Sequence, residues 1–297
     1  MRHLILLCCT ATALACGGVA AEAEPGDDLA APRHLYSLVN APFPGPHPSA
    51  LVYLGKGFRA AGPLNLVVHF HGWANCIENE GEARNAPCTR GGPVRIAHDL
   101  FRQLDQSGAN AALILVERSF DQSNSDDGRL AEPGLFRAMI LELLPKLGAL
   151  AGRGYAEKDL GSIVLSSHSG GYRALAHSLD RGGLTHLVTQ VILLDSVYDN
   201  AAEFEAFAQE ALGAARLAIV YTDRAGTAAG SQQIAAHAKG WLAAARLDPK
   251  LLVDDRTTGT LPDAALAAPL LFKRSGASHD GTAQLYFGKL LAHAGLR

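Results

Sequence analysis

Ser167-His168-Ser169-Gly170-Gly171 stands directly between an apolar run, Ile163-Val164-Leu165, and a helix-patterned segment from Tyr172 to Asp180. A small residue two before Ser169 and a glycine two after it permit a tight strand-to-helix turn, which lifts the serine hydroxyl above the end of a sheet. The helix behind the turn would bring backbone N–H groups and a positive dipole end to the place where negative charge develops. The chemistry this predicts is attack by Ser169 on a carbonyl carbon, with a general base and an oxyanion site nearby. The competing reading is a Ser/Gly turn that only caps a helix.

With Ser167 in place of the usual first glycine, Ser167 to Gly171 resembles the nucleophile elbow of the α/β-hydrolase superfamily, and the resemblance extends over nearly all of the chain after its leader. His69-Phe70-His71-Gly72-Trp73 is similar to the His-Gly turn after the third strand of secreted esterases and polyhydroxyalkanoate-depolymerase-like enzymes. The likeness implies an oxyanion hole built from the backbone N–H of Gly170 and that of Gly72 or Trp73, each worth about 2.7–4 kcal/mol in the transition state. It also implies the chain order Ser, acid, His. Among the downstream histidines, His177 and His237 fall inside helical patterns, His186 opens a strand and His293 lies on the last helix. His279, in the loop Ser275-Gly276-Ala277-Ser278-His279-Asp280-Gly281 before that helix, is the expected base.

Two aspartates end apolar strands and compete for the role of the acid. Asp223 follows Leu217 to Thr222, where most of the superfamily places it, but it opens a loop beside Arg224. Asp195 follows Val191-Ile192-Leu193-Leu194 without a break, so its carboxylate should be rigid and partly desolvated, and it is the expected acid. For either, capping of the next helix is the plain alternative. His69 and His71 would face one side of a strand, as a metal pair does. Gly72, Trp73, Ala74 and Asn75 add no further ligand, so hydrogen-bonded, packed histidines are expected and no metal. No cofactor is implied either, since Gly55-Lys56-Gly57 lacks the third glycine of a nucleotide fingerprint.

The elements that must position these groups alternate along the chain. Strands are expected at Leu64 to Phe70, Ala111 to Val116, Ile163 to Leu165, Val188 to Leu194, Leu217 to Tyr221 and Leu270 to Lys273. Helical spacing runs over Val94 to Gln106, Leu135 to Leu150, Tyr172 to Asp180, Gln232 to Ala245 and Thr282 to His293. Short apolar strands alternating with amphipathic helices predict an α/β fold, a mainly parallel twisted sheet with helices on both faces, in one domain over 35–297.

The 297 residues are 48% apolar and carry a net charge of −3 with no basic block, which excludes a binder of the nucleic-acid backbone. Met1-Arg2-His3, the apolar stretch Leu4 to Ala15 and the small residues before Glu22 describe a signal peptide over 1–21, cleaved after Ala21 or, second, after Ala23. A flexible segment, 22–34, follows. Ala13-Leu14-Ala15-Cys16 is also a degenerate lipobox, so a lipid anchor at Cys16 is the alternative to plain export. No other apolar run is long enough to span a bilayer. Three of the five cysteines lie in the leader; the remaining two, Cys76 and Cys88, bracket a polar loop and are expected to form a disulfide in an oxidising compartment. The sequence therefore reads as an exported serine hydrolase acting on a small-molecule or polymeric ester. An amidase or peptidase of the same fold, or an envelope-associated binding protein that lost catalysis, are the alternatives.

Overall fold

Runs of four to nine residues, apolar except at the edges, build a nine-stranded sheet in a computed structural model that describes residues 33–297. The strands are β1 (Arg33–Tyr36), β2 (Ala50–Leu54), β3 (Leu64–Phe70), β4 (Ala112–Val116), β5 (Leu160–His168), β6 (Val188–Leu194), β7 (Arg216–Tyr221), β8 (Leu252–Asp255) and β9 (Leu270–Arg274). Their spatial order is β1-β2-β4-β3-β5-β6-β7-β9-β8. Strand β2 runs antiparallel to both its neighbours, and every other adjacent pair is parallel. The expected signal peptide, its cleavage site and Cys16 lie outside the described residues.

Side chains that alternate along each strand divide between two apolar layers, as a pleated sheet requires. Val68, Leu165, Val191 and Leu193 face one layer, with α3 (Leu135–Ala151), α4 (Tyr172–Asp180), α5 (Ala201–Glu210) and α6 (Ala228–Ala244) packed on it. Val67, Val164, Ile192 and Leu194 face the other, which is covered by α1 (Ile77–Gly81), α2 (Leu100–Ser107), α7 (Asp263–Leu266) and α8 (His279–Leu291). This is the two-sided, mainly parallel sheet that the sequence predicts. Among the described residues no helix is long and apolar enough to cross a membrane.

The differences are local. Helical spacing from Val94 onward does not become a helix at once. Val94 and Arg95 pair with Ala86 and Pro87 in a small antiparallel ribbon, and α2 starts only at Leu100, after Asp99 takes a left-handed backbone with φ 58°. His279 is not a loop residue: Ser278 caps α8 by accepting from the Gly281 N–H at 3.1 Å, which makes His279 the first helical residue. Arg33 and His34, expected in the flexible segment, belong to β1. The edge strands β1 (RHLY) and β8 (LVDD) are short and half polar, the composition that discourages pairing with other chains and also hides strands from an apolar-run reading.

Candidate active site

The central strands end at one edge of the sheet, and their carboxyl ends deliver the chemistry-bearing residues. Phe70 of β3 pairs with Ser167 of β5, and His168 of β5 with Leu194 of β6, so Gly72, Ser169 and Asp195 emerge side by side. Ser169 has a left-handed backbone, φ 50°, a conformation that costs a β-carbon-bearing residue about 1–3 kcal/mol and must be held by its surroundings. Part of that hold is polar. The Ser167 and Ser196 hydroxyls are 2.8 Å apart, and Ser196 donates to the Ser169 carbonyl at 2.7 Å. The rest is close contact: a Cβ on Gly72 would come within 2.8 Å of the Ser169 Cβ, and one on Gly170 within 2.3 Å of Trp73 Cδ1. Only glycine lets the His-Gly turn and the Trp73 indole lie this near the serine. The indole N–H donates to the Ser125 hydroxyl at 2.8 Å.

His279 donates from Nδ1 to Asp195 Oδ2 at 2.8 Å. Asp195 is fully buried, at φ 47°, with its N–H bonded to the Val220 carbonyl. Its Oδ1 accepts from the Thr222 N–H at 2.9 Å and from the Thr227 hydroxyl, and its Oδ2 accepts from the Thr222 hydroxyl at 2.6 Å. Burial alone would push this carboxyl up; the bonds from His279, Thr222 and Thr227 outweigh it and hold it below the ordinary value. Asp223 lies elsewhere in kind. Its side chain is 52% exposed and forks onto Arg274, from Nε at 3.0 and 2.9 Å, rather than onto Arg224. Of the other histidines, His177 pairs with Asp127 and His237 with Glu205.

Ser169, His279, Gly72 and Trp73 line one cleft of about 470 Å³, with Tyr172 and Tyr198 among its walls. Burial, helped by the charge on Asp195, pushes the Tyr198 phenol up to about 12, so it stays neutral.

No protein-family model matches the sequence, and no curated protein does. Solved structures do. A feruloyl esterase module from Clostridium thermocellum, complexed with sinapinate, superposes with a TM-score of 0.51 at 12% identity, over 88% of this chain and 86% of that one. An acetyl xylan esterase from Aspergillus awamori gives 0.50 at 11% identity, over 90% of this chain and 100% of that one. The chain has the α/β-hydrolase fold. At such identities the likeness is one of fold, and the roles of the residues rest on their geometry.

Within this α/β-hydrolase fold, a second polar group lies behind the elbow. His71 Nδ1 lies 2.8 Å from the Gly72 carbonyl, and its Nε2 lies 2.8 Å from Glu117 Oε1 and 3.0 Å from the Arg118 backbone nitrogen. His69 sits 3.1 Å from the Ser166 hydroxyl and 3.5 Å from Glu80. Both are buried, and His69 Nε2 has only the long Glu80 contact. Glu80, fully buried on α1, accepts from Asn75 at 2.7 Å and from His98 Nδ1 at 2.5 Å. Burial would raise the Glu80 carboxyl, but His98 and His69 hold it well below its usual range. Burial would lower His98, but Glu80 and Asp280 raise it to about 9. Burial, with the charges of His98 and His279, pushes His168 down to about 3. Cys76 and Cys88 are joined, and Cys76 stands at the N-cap of α1, so the bridge ties down the helix start between Asn75 and Glu80.

Several of these residues are invisible to sequence reasoning. Thr222, Thr227 and Ser196 are common residue types past strand ends, and nothing in their spacing marks the carboxylate or hydroxyl they serve. Glu80 and His98 meet only through the tertiary fold. Asp280 had one usable signal, its place next to His279.

Proposed function

We propose that this protein is an exported serine hydrolase that cleaves a carboxylic ester through an acyl-enzyme on Ser169. The observation that carries the reading is the 2.8 Å bond to a fully buried Asp195 from His279, which lines the same cleft as the strained Ser169 turn. In this reading His279 Nε2 takes the Ser169 hydroxyl proton as Oγ bonds to the ester carbonyl carbon. The tetrahedral oxyanion is met by the N–H of Gly170 and that of Gly72 or Trp73. Collapse breaks the bond to the alkoxy oxygen, which leaves with the proton from His279. Water then enters by the same route, returning Ser169 and releasing the acid. Asp195 fixes the His279 tautomer and stabilises the imidazolium that forms in each half.

An ester rather than an amide is favoured by the two fold neighbours, both named as esterases. The cleft is large enough for a small ester or for the end of a polymer. Export is supported by the signal-peptide pattern expected over 1–21 and by the Cys76–Cys88 bridge, which suits an oxidising compartment. Hydrolysis of a panel of aryl and alkyl esters tests the activity. Ser169→Ala should lower kcat about 10⁴-fold or more with the fold intact by circular dichroism, and turnover within about tenfold of wild type would overturn the assignment.

A further inference from the structure

His98, His168 and Asp280 come from three separate segments: the loop before α2, the end of β5 and the first turn of α8. Each offers one ligand atom, and these atoms lie within 4.8 Å of one another. Among the described residues they are the only such group. All three also line the cleft. We infer that these three side chains bind a single zinc-class divalent ion, with its remaining coordination position open to the cleft.

Three features of the geometry support a metal rather than a chance polar contact. First, His98 Nε2 and Asp280 Oδ1 are 3.4 Å apart, long for a hydrogen bond, whereas a tetrahedral ion with bonds of about 2.0–2.1 Å holds neighbouring ligand atoms about 3.4 Å apart. Second, the other nitrogen of His98 is bonded to Glu80, which is itself held by Asn75. A carboxylate behind a ligating imidazole is the arrangement that fixes its tautomer and strengthens its lone pair. Third, His168 is almost fully buried, yet Nδ1 has no hydrogen-bond partner and Nε2 makes only a 3.3 Å contact with the His279 carbonyl. A histidine buried with its polar atoms so poorly used is costly unless something else occupies them.

Two imidazoles and a carboxylate with an open position suit zinc, and the same set accepts cobalt. The ion would join the residue before Ser169 to the residue after His279, and so pin the elbow to the helix that carries the expected base.

The inference does not depend on esterase activity, and the experiment keeps the two apart. Tag-free mature protein, stripped with chelator, is equilibrated with Zn²⁺ and its metal content measured, and Co²⁺ loading is read by visible absorption. One equivalent per chain and a tetrahedral Co²⁺ spectrum are expected. Asp280→Asn, isosteric and partly exposed, should weaken binding about tenfold or more, as should Glu80→Gln acting through His98. Ser169→Ala should bind as wild type does, whatever its turnover. Binding well below one equivalent in wild type, or undiminished binding in a folded Asp280→Asn protein, would overturn the site.

Discussion

Asp195 and Asp223 follow neighbouring parallel strands, β6 and β7, at the same edge of the sheet, yet one is sealed in the protein and the other stands in solvent. Asp195 receives bonds from the Thr222 N–H, two threonine hydroxyls and His279. Asp223 receives one exposed guanidinium, that of Arg274. A buried charge is tolerated only when its lone pairs are met, and once met it acts on its neighbour through little water. A surface pair is screened and contributes about 0–1 kcal/mol. Being at the end of a strand thus does not set a carboxylate's environment. The set of donors around it decides whether it can be buried beside a histidine, as Asp195 is.

That contrast can be broken most severely at the carboxylates themselves. Asp195→Asn should lower kcat about 10⁴-fold by releasing the His279 tautomer, and Asp223→Asn should leave it within about twofold. The reverse pattern in purified proteins assayed side by side would transfer the role to Asp223. A smaller change sharpens the picture: Thr222→Val keeps the shape but removes one hydroxyl from Asp195 Oδ2. It should cost about 1–3 kcal/mol in denaturant unfolding, because a buried carboxylate loses a donor. The least effect is expected from Arg274→Ala, which frees the exposed Asp223. Its unfolding free energy should move by less than about 1 kcal/mol, and less again in high salt.

What the sequence made legible was carried by local pattern. The run Ile163-Val164-Leu165, the turn at Ser169 and the helix from Tyr172 are one continuous stretch, so strand, elbow and helix could be read together. The unbroken apolar strand before Asp195 anticipated its burial for the same reason. Legibility failed where partners are distant. The threonines around Asp195 and the serine clasp from Ser167 through Ser196 follow from how strands pack, which no periodicity records. It failed too where a single backbone angle overrides a pattern. The helical spacing from Val94 is cut by the left-handed Asp99, and the edge strands β1 and β8 are too polar to stand out.

The central claim, that Ser169 is an activated nucleophile, is tested most directly with a fluorophosphonate probe on the folded mature protein, followed by peptide mapping. The account predicts one adduct per chain, on the peptide containing Ser169, and none in Ser169→Ala. Absence of labelling in folded wild type, or equal labelling of Ser169→Ala at another residue, would contradict it.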